Sequence, residues 1–314
     1  MTRGHFIALL ALAGLVYAIP SLTDDSYIMT LMIFSGINAI VAIGLCILMG
    51  SAGQVSLGQA GFYGIGAYAS SILTQSFSMP VLAGMACAAL ISAGAAVILA
   101  VPALRLKGHY LAVATLGFGE IIYIILNEFG PGGPSGFGDI PALSIGEYTA
   151  TEAAHVAWAV WGILMLLMVF SLNLLNARPG RALRALHGSE TACNAMGLDV
   201  VSLKIKVFVL SAVYASLAGS LYAHYVSFIS PSSFSLFHSV LLLMMVVLGG
   251  ITTVWGGVVG AVIITLLPET LKSFEELDVL AYGLILTLSL LFLRRGIVPI
   301  ITGRIRTLLE RRNA

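Results

Sequence analysis

Charge is what this sequence has least of. Lys and Arg number 15 and Asp and Glu 14 among 314 residues, 9% together, where a soluble domain carries roughly 25%. That composition speaks against a water-soluble fold. The net charge of +1 gives no reason to expect a nucleic-acid partner. Cysteine is equally thin, with Cys46 and Cys87 inside apolar runs and Cys193 in a basic stretch, so there is neither a disulfide framework nor a metal-ligand spacing. The chain has no Gly-x-x-x-x-Gly-Lys-Ser/Thr phosphate loop, and any ATP that drives it must be bound by another polypeptide. A Ser/His/Asp set, a metal-spaced His cluster and a pair of facing acids are also missing, which speaks against an intramembrane enzyme.

What is there is apolar, 59% of all residues, with the few charges sorted by sign. Fourteen of the 15 basic residues fall at Arg3, at Arg105 and Lys107, between Arg178 and Lys206, and between Arg294 and Arg312. Acids gather between these patches, at Asp24 and Asp25, from Glu128 to Glu152, and from Glu269 to Asp278. Cytoplasmic loops accumulate Lys and Arg, so the alternation threads the chain back and forth across a bilayer. A helical span takes about 20 apolar residues at 1.5 Å each. On that ruler the expected architecture is an all-α integral membrane protein, one transmembrane domain over residues 1–314. It has about ten spans, both termini cytoplasmic and an uncleaved first helix. The spans fall near residues 5–20, 27–49, 58–73, 80–104, 109–127, 154–176, 207–228, 238–254, 256–267 and 279–293. A basic tail, 294–314, anchors on the inner leaflet.

The third and ninth spans are short and glycine-rich, hence broken or re-entrant segments, or simply tightly packed ones. The stretch from Gly50 to Gly66 bares backbone polar groups that only packed neighbours or a water-filled route can satisfy. Gln54, Ser56 and Gln59 lie on it. Spans two to five start outside and spans seven to ten inside, so the halves form a possible inverted repeat, with Gly50–Gly66 opposite Ser227–Ser235. The Gly/Pro run from Gly130 to Gly136 breaks any helix. Ser211, Ala215, Gly219 and Ala223, and Gly256 with Gly260, mark small-residue helix contacts.

Glu120 is the one acid deep in a span. Eleven residues beyond His109, it lies about 16 Å into a roughly 30 Å core. A carboxyl there is a functional candidate by default. It could hold a passing ammonium group, bond to Asn38 or His224, or simply be protonated, the ordinary reading being a structural hydrogen bond. The cytoplasmic segment 178–206 reads as an elbow of two short helices. Arg181 and Arg184 share a helix with Leu183 and Leu186 in an amphipathic pattern. Ser189 is the N-cap of a second helix, Glu190 to Met196, ended by Gly197. So short a helix must be held by the membrane domain or by a partner, unless the segment is merely an anchor at the lipid surface.

Glu190-Thr-Ala-Cys-Asn-Ala-Met-Gly197 resembles the coupling loop of ABC importer permeases, with its glycine one residue late and no Leu-Pro after it. Those departures resemble the branched-chain amino acid branch. Arg105-Leu-Lys-Gly-His-Tyr-Leu-Ala-Val-Ala-Thr-Leu-Gly-Phe-Gly-Glu120, Gly132-Gly-Pro-Ser-Gly136 and Gly53-Gln-Val-Ser-Leu-Gly-Gln-Ala-Gly-Phe62 look like signature stretches of LivM-type permeases, with His109 standing where the family usually has an acid. The resemblance covers residues of about 30 to 300. It implies a bacterial inner-membrane permease subunit of an ATP-driven importer of Leu, Ile or Val, not itself an enzyme. The expected partners are a homologous second permease, two ABC ATPases that hold ATP and Mg²⁺, and an extracytoplasmic solute-binding protein landing on the external loops. The chain itself carries no cofactor. On that reading Arg181, Arg184, Ser189, Glu190, Ala192 and Gly197 couple to the ATPases, and Asn38, Gln54, Ser56, Gln59, Glu120 and His224 are pathway candidates. Two rivals remain: a proton-coupled secondary transporter using Glu120, and an ABC permease for urea or short amides.

Overall fold

The computed structural model describes residues 3–22, 25–104, 106, 108–145, 148–149, 152–271, 283–284, 287 and 296–300. The expected tenth span at 279–293 therefore lies outside the described residues apart from 283, 284 and 287, as do Arg105, Lys107 and all of the basic tail but 296–300.

Eleven α-helices are described: α1 (Arg3–Leu22), α2 (Ser26–Leu45), α3 (Gln59–Ser76), α4 (Val81–Ala103), α5 (His109–Phe129), α6 (Ala153–Asn176), α7 (Arg178–Gly188), α8 (Glu190–Ala195), α9 (Val200–Val226), α10 (Leu236–Gly249) and α11 (Val254–Leu271). Five stretches are long and apolar enough to cross a membrane: α2 with its extension to Ser51, α4, α5, α6 and α9. Ile7–Ser21, Leu236–Gly249 and Val254–Pro268 are shorter apolar helices. This is a helical, multi-pass membrane architecture. The described strands are the two-residue pair β1 (Ser144–Ile145) and β2 (Tyr148–Thr149), antiparallel with Ser144 opposite Thr149.

The core forms around α2, α3 and α9, whose small residues let backbones approach. A Cβ on Gly219 of α9 would lie 1.9 Å from the Tyr63 carbonyl oxygen, and one on Gly66 of α3 would lie 2.1 Å from that of Ser216. The same device joins α10 to α11, where a Cβ on Gly260 would meet the Met245 carbonyl oxygen at 1.8 Å. Part of the packing recurs in the two halves, although the extensive α3–α9 contact has only a small counterpart between α10 and α2. Helix α4 packs on α3 and α9 as α11 packs on α10 and α2.

Three boundaries differ from expectation. Helix α9 begins at Val200 because Asp199 caps it, its carboxylate accepting from the Ser202 N–H at 3.0 Å, so Lys204 and Lys206 are helical and the elbow ends at residue 199. Helix α10 stops at Gly249, since Gly250 takes φ of 124°. The Gly/Pro run does hold one 3₁₀ turn, Gly133–Ser135, which Pro134 suits by its fixed φ.

Candidate functional site

The elbow forms as its local signals dictate. Leu183 and Leu186 turn inward and are buried, leaving Arg181 and Arg184 exposed. Each guanidinium donates to the frayed end of α6, Arg184 Nη1 to the Leu175 carbonyl at 2.7 Å and Arg181 Nη1 to that of Asn176 at 3.2 Å, a use of cations at a helix C-terminus. The Ser189 hydroxyl accepts from the Ala192 N–H at 3.2 Å. Gly197 closes α8 at φ of 76°, a backbone conformation that L side chains rarely adopt. Cys193 is buried beneath α8, while Ala192, Ala195 and Met196, the last 68% exposed, form an apolar tip.

Two contacts fix this elbow to the membrane helices. Lys204 of α9, itself buried, donates to Glu190 Oε1 as a salt bridge. At the other end His187 abuts Gly53, where a Cβ would come within 2.7 Å of Nδ1. Gly53, at φ of +67°, follows the point where α2 loosens into a π-helical segment, Cys46–Ser51. Such segments often mark functional positions. The elbow thus rests on a break in a membrane helix.

That break runs through residues 53–58 before α3 resumes at Gln59. Its backbone and the first turn of α3 are served by side-chain hydroxyls. Leu57 N–H donates to Thr115 Oγ1 of α5 at 3.0 Å, Ala60 N–H to Ser239 Oγ of α10 at 3.1 Å, and Gly58 N–H to Ser56 Oγ at 3.5 Å. Gln59 Nε2 donates to Ser211 Oγ of α9 at 3.1 Å. Gln54, Ser56 and Gln59 are all buried, yet the Gln59 Oε1 and both amide atoms of Gln54 have no hydrogen-bond partner. Unpaired buried amides are costly and are natural contacts for water or solute.

A second break separates α9 from α10. Ser227 turns the chain at φ of 58°, Ile229 pairs with Phe137, and a 3₁₀ turn, Pro231–Phe234, leads into α10. Phe234 reaches the first break's helix, a Cβ on Gly64 standing 3.2 Å from its Cβ. Tyr63 stacks obliquely on Phe234, Tyr222 and His238, with centroids 5.1–5.7 Å apart. The second break therefore packs against α3, the helix that follows the first.

The remaining candidates are not brought together. Asn38 Nδ2 donates to Thr265 Oγ1 of α11 at 3.0 Å, and His224 Nδ1 sits 2.7 Å from the Pro141 carbonyl oxygen. These are interhelical and loop-anchoring bonds of an ordinary kind. Glu120 meets neither. Its side chain is exposed on α5 and makes no hydrogen bond or ion pair among the described residues, so the structural bond expected with Asn38 or His224 is not formed. Lys204, Thr115, Ser239 and His187 went unnoticed in the sequence, because each acts on a residue at least 14 positions away or on another helix. Only Ser211 carried a signal, as part of the small-residue stripe.

The family described as "Branched-chain amino acid transport system / permease component" matches residues 27–293. The high-affinity branched-chain amino acid transport system permease proteins LivM of Salmonella typhimurium and Escherichia coli are each 31% identical over 288 residues, covering 84% of this chain and 68% of theirs. A probable branched-chain amino acid transport permease protein LivM of Methanocaldococcus jannaschii is 26% identical over 217 residues, 63% of this chain and 62% of its own. No solved structure matches.

Proposed function

The chain belongs to the branched-chain amino acid transport permease family, and we propose that it is one of two homologous permeases in a heteromeric importer of Leu, Ile or Val. It is a transport component rather than an enzyme. Two ABC ATPases would hold ATP and Mg²⁺, and an extracytoplasmic binding protein would deliver the solute. The setting is a bacterial inner membrane, crossed about ten times with both termini inside. The paired arrangement of α2, α3, α4 against α9, α10, α11 supports an inverted repeat.

The single observation that carries the proposal is the seat of the elbow. Its apolar tip faces away from the helices, and its base presses on Gly53, at the head of the break. A push on Ala192, Ala195 and Met196 by an ATPase is thereby delivered to residues 53–58. Glu190 holds the elbow to α9 through Lys204, and Arg181 and Arg184 hold it to α6. Displacement of that seat biases two packings of the helices. Ser56 and Gln59 then change partners and Gln54 gains one as the break moves, since hydroxyls rather than a continuous helix secure it.

Proton coupling through Glu120 loses its relay, because His224 is buried against Pro141 while Glu120 faces outward. The test is gentle purification followed by reconstitution with the binding protein. ATP-dependent uptake of labelled leucine supports the reading. Uptake driven by a proton gradient with no ATPase chain present, or ATP-driven uptake of urea and not leucine, refutes it.

A further inference from the structure

Helix α5 is the least enclosed of the long spans, and its exposed surface differs from the others in chemistry. Where α4 is bare it shows Leu90, Ile91, Val97, Ile98 and Val101, an apolar face throughout, as contact with acyl chains requires. Helix α5 instead sets Glu120 near mid-span. At 100° per residue Val113, Gly117, Ile124 and Asn127 fall on the same side. Val113 and Ile124 are 65% and 50% exposed, and a Cβ on Gly117 would meet nothing within 4 Å. The opposite side of α5 is fully engaged, Thr115 receiving the Leu57 N–H and Gly119 lying against Gly58 and Gly61.

A carboxyl at that depth is not left in hydrocarbon. We infer that the Val113–Gly117–Glu120–Ile124 face of α5 is covered by the second permease, which presents a cation or hydrogen-bond donor to Glu120. This rests on the heteromeric reading above and names the surface that joins the two permeases. Charge decides between the occupants. A two-fold contact with a second copy of this chain along α5 would set Glu120 against Glu120 in a medium of low dielectric. A homologous, non-identical chain escapes that repulsion. Gly117 lets its helix come close. The same contact makes α5 the wall between the partner and the break at residues 53–58, so substrate passing between the permeases would run beside Glu120.

The experiment places a photo-crosslinking benzophenone side chain at Val113, at Ile124 or, as a control, at Ile98 of α4, in the full chain co-expressed with the second permease and the ATPases. Adducts with the second permease are expected from positions 113 and 124 and none from 98. With the crosslinker at 124, Glu120→Gln should keep the adduct, whereas Glu120→Arg, which sets a cation against the facing cation or donor, should abolish it; an adduct that survives Glu120→Arg would overturn the assigned facing group. Adducts with lipid alone, or with another copy of this chain, while the second permease copurifies, would overturn the inference and leave the transporter reading intact. Failure of any second permease or ATPase to copurify with the unaltered chain would instead remove that reading, and this inference with it.

Discussion

Removing Glu190 should loosen the elbow far more than removing its partner. The Lys204 side chain is 9% exposed and that of Glu190 is 38% exposed. Glu190→Ala strands an ammonium where water barely reaches. Stranding a fully buried charge costs about 3–5 kcal/mol and breaking an exposed pair about 0–1 kcal/mol. The partial exposure of Glu190 sets the expected cost between them, about 2 kcal/mol. Lys204→Met leaves a carboxylate that can turn to solvent and keeps an apolar stem, for less than about 1 kcal/mol. The readout is amide hydrogen exchange of α8 in nanodiscs, at Ala192, Cys193 and Met196, whose N–H groups bond to the Ser189 hydroxyl, the Ser189 carbonyl and the Ala192 carbonyl. A difference of about 2 kcal/mol is about thirty-fold in exchange rate, so Glu190→Ala should accelerate these amides by roughly that factor and Lys204→Met by less than about fivefold. Equal acceleration, or a larger effect from Lys204→Met, would refute the reasoning that burial is asymmetric across the pair.

Gly219→Val should abolish monodisperse extraction in mild detergent, because its Cβ would lie 1.9 Å from the Tyr63 carbonyl oxygen, whereas Gly162→Val, with nothing within 4 Å, should behave as the parent on size-exclusion chromatography. Ser239→Ala leaves the Ala60 N–H at the start of α3 unpaired, and should lower stability by about 1–3 kcal/mol in a thermal-shift measurement. Asn38→Leu and Thr265→Val each delete one α2–α11 bond. Each should cost about 0.6–2 kcal/mol, and the double variant should cost no more than either alone in a mutant cycle. Glu120→Gln should slow leucine uptake while leaving assembly unchanged; a full wild-type rate would show that its charge is idle.

How much the sequence disclosed depended on the range of the interaction. The second helix of the elbow was legible to within a residue, since an N-cap serine and a terminating glycine act over a few positions. The rise of 1.5 Å per residue was enough to put Glu120 near the middle of α5. Which way it faced was hidden, because α5 is apolar around most of its circumference. The glycines from Gly50 to Gly66 announced an interruption without saying whether it was packing or a break. What decided the matter lay on other helices, in Thr115, which takes the Leu57 N–H of the break, and in Ser211 and Ser239, which take the Gln59 side chain and the Ala60 N–H at the start of α3. The π-helical turn before the break had no local signature. The pairing of Glu190 with Lys204 needed Asp199 to start α9 early, which the expected boundary at Val207 had missed.

The central claim is that the tip of the elbow faces the cytoplasm and carries the ATPase. It is tested most directly by an impermeant maleimide on Ala195→Cys in a chain whose Cys46, Cys87 and Cys193 are replaced by Ala. In sealed inside-out vesicles the thiol should react once the ATPases are stripped away and be shielded when they are bound, with no labelling of intact cells. Labelling from the exterior, or equal labelling with and without the ATPases, would contradict the account.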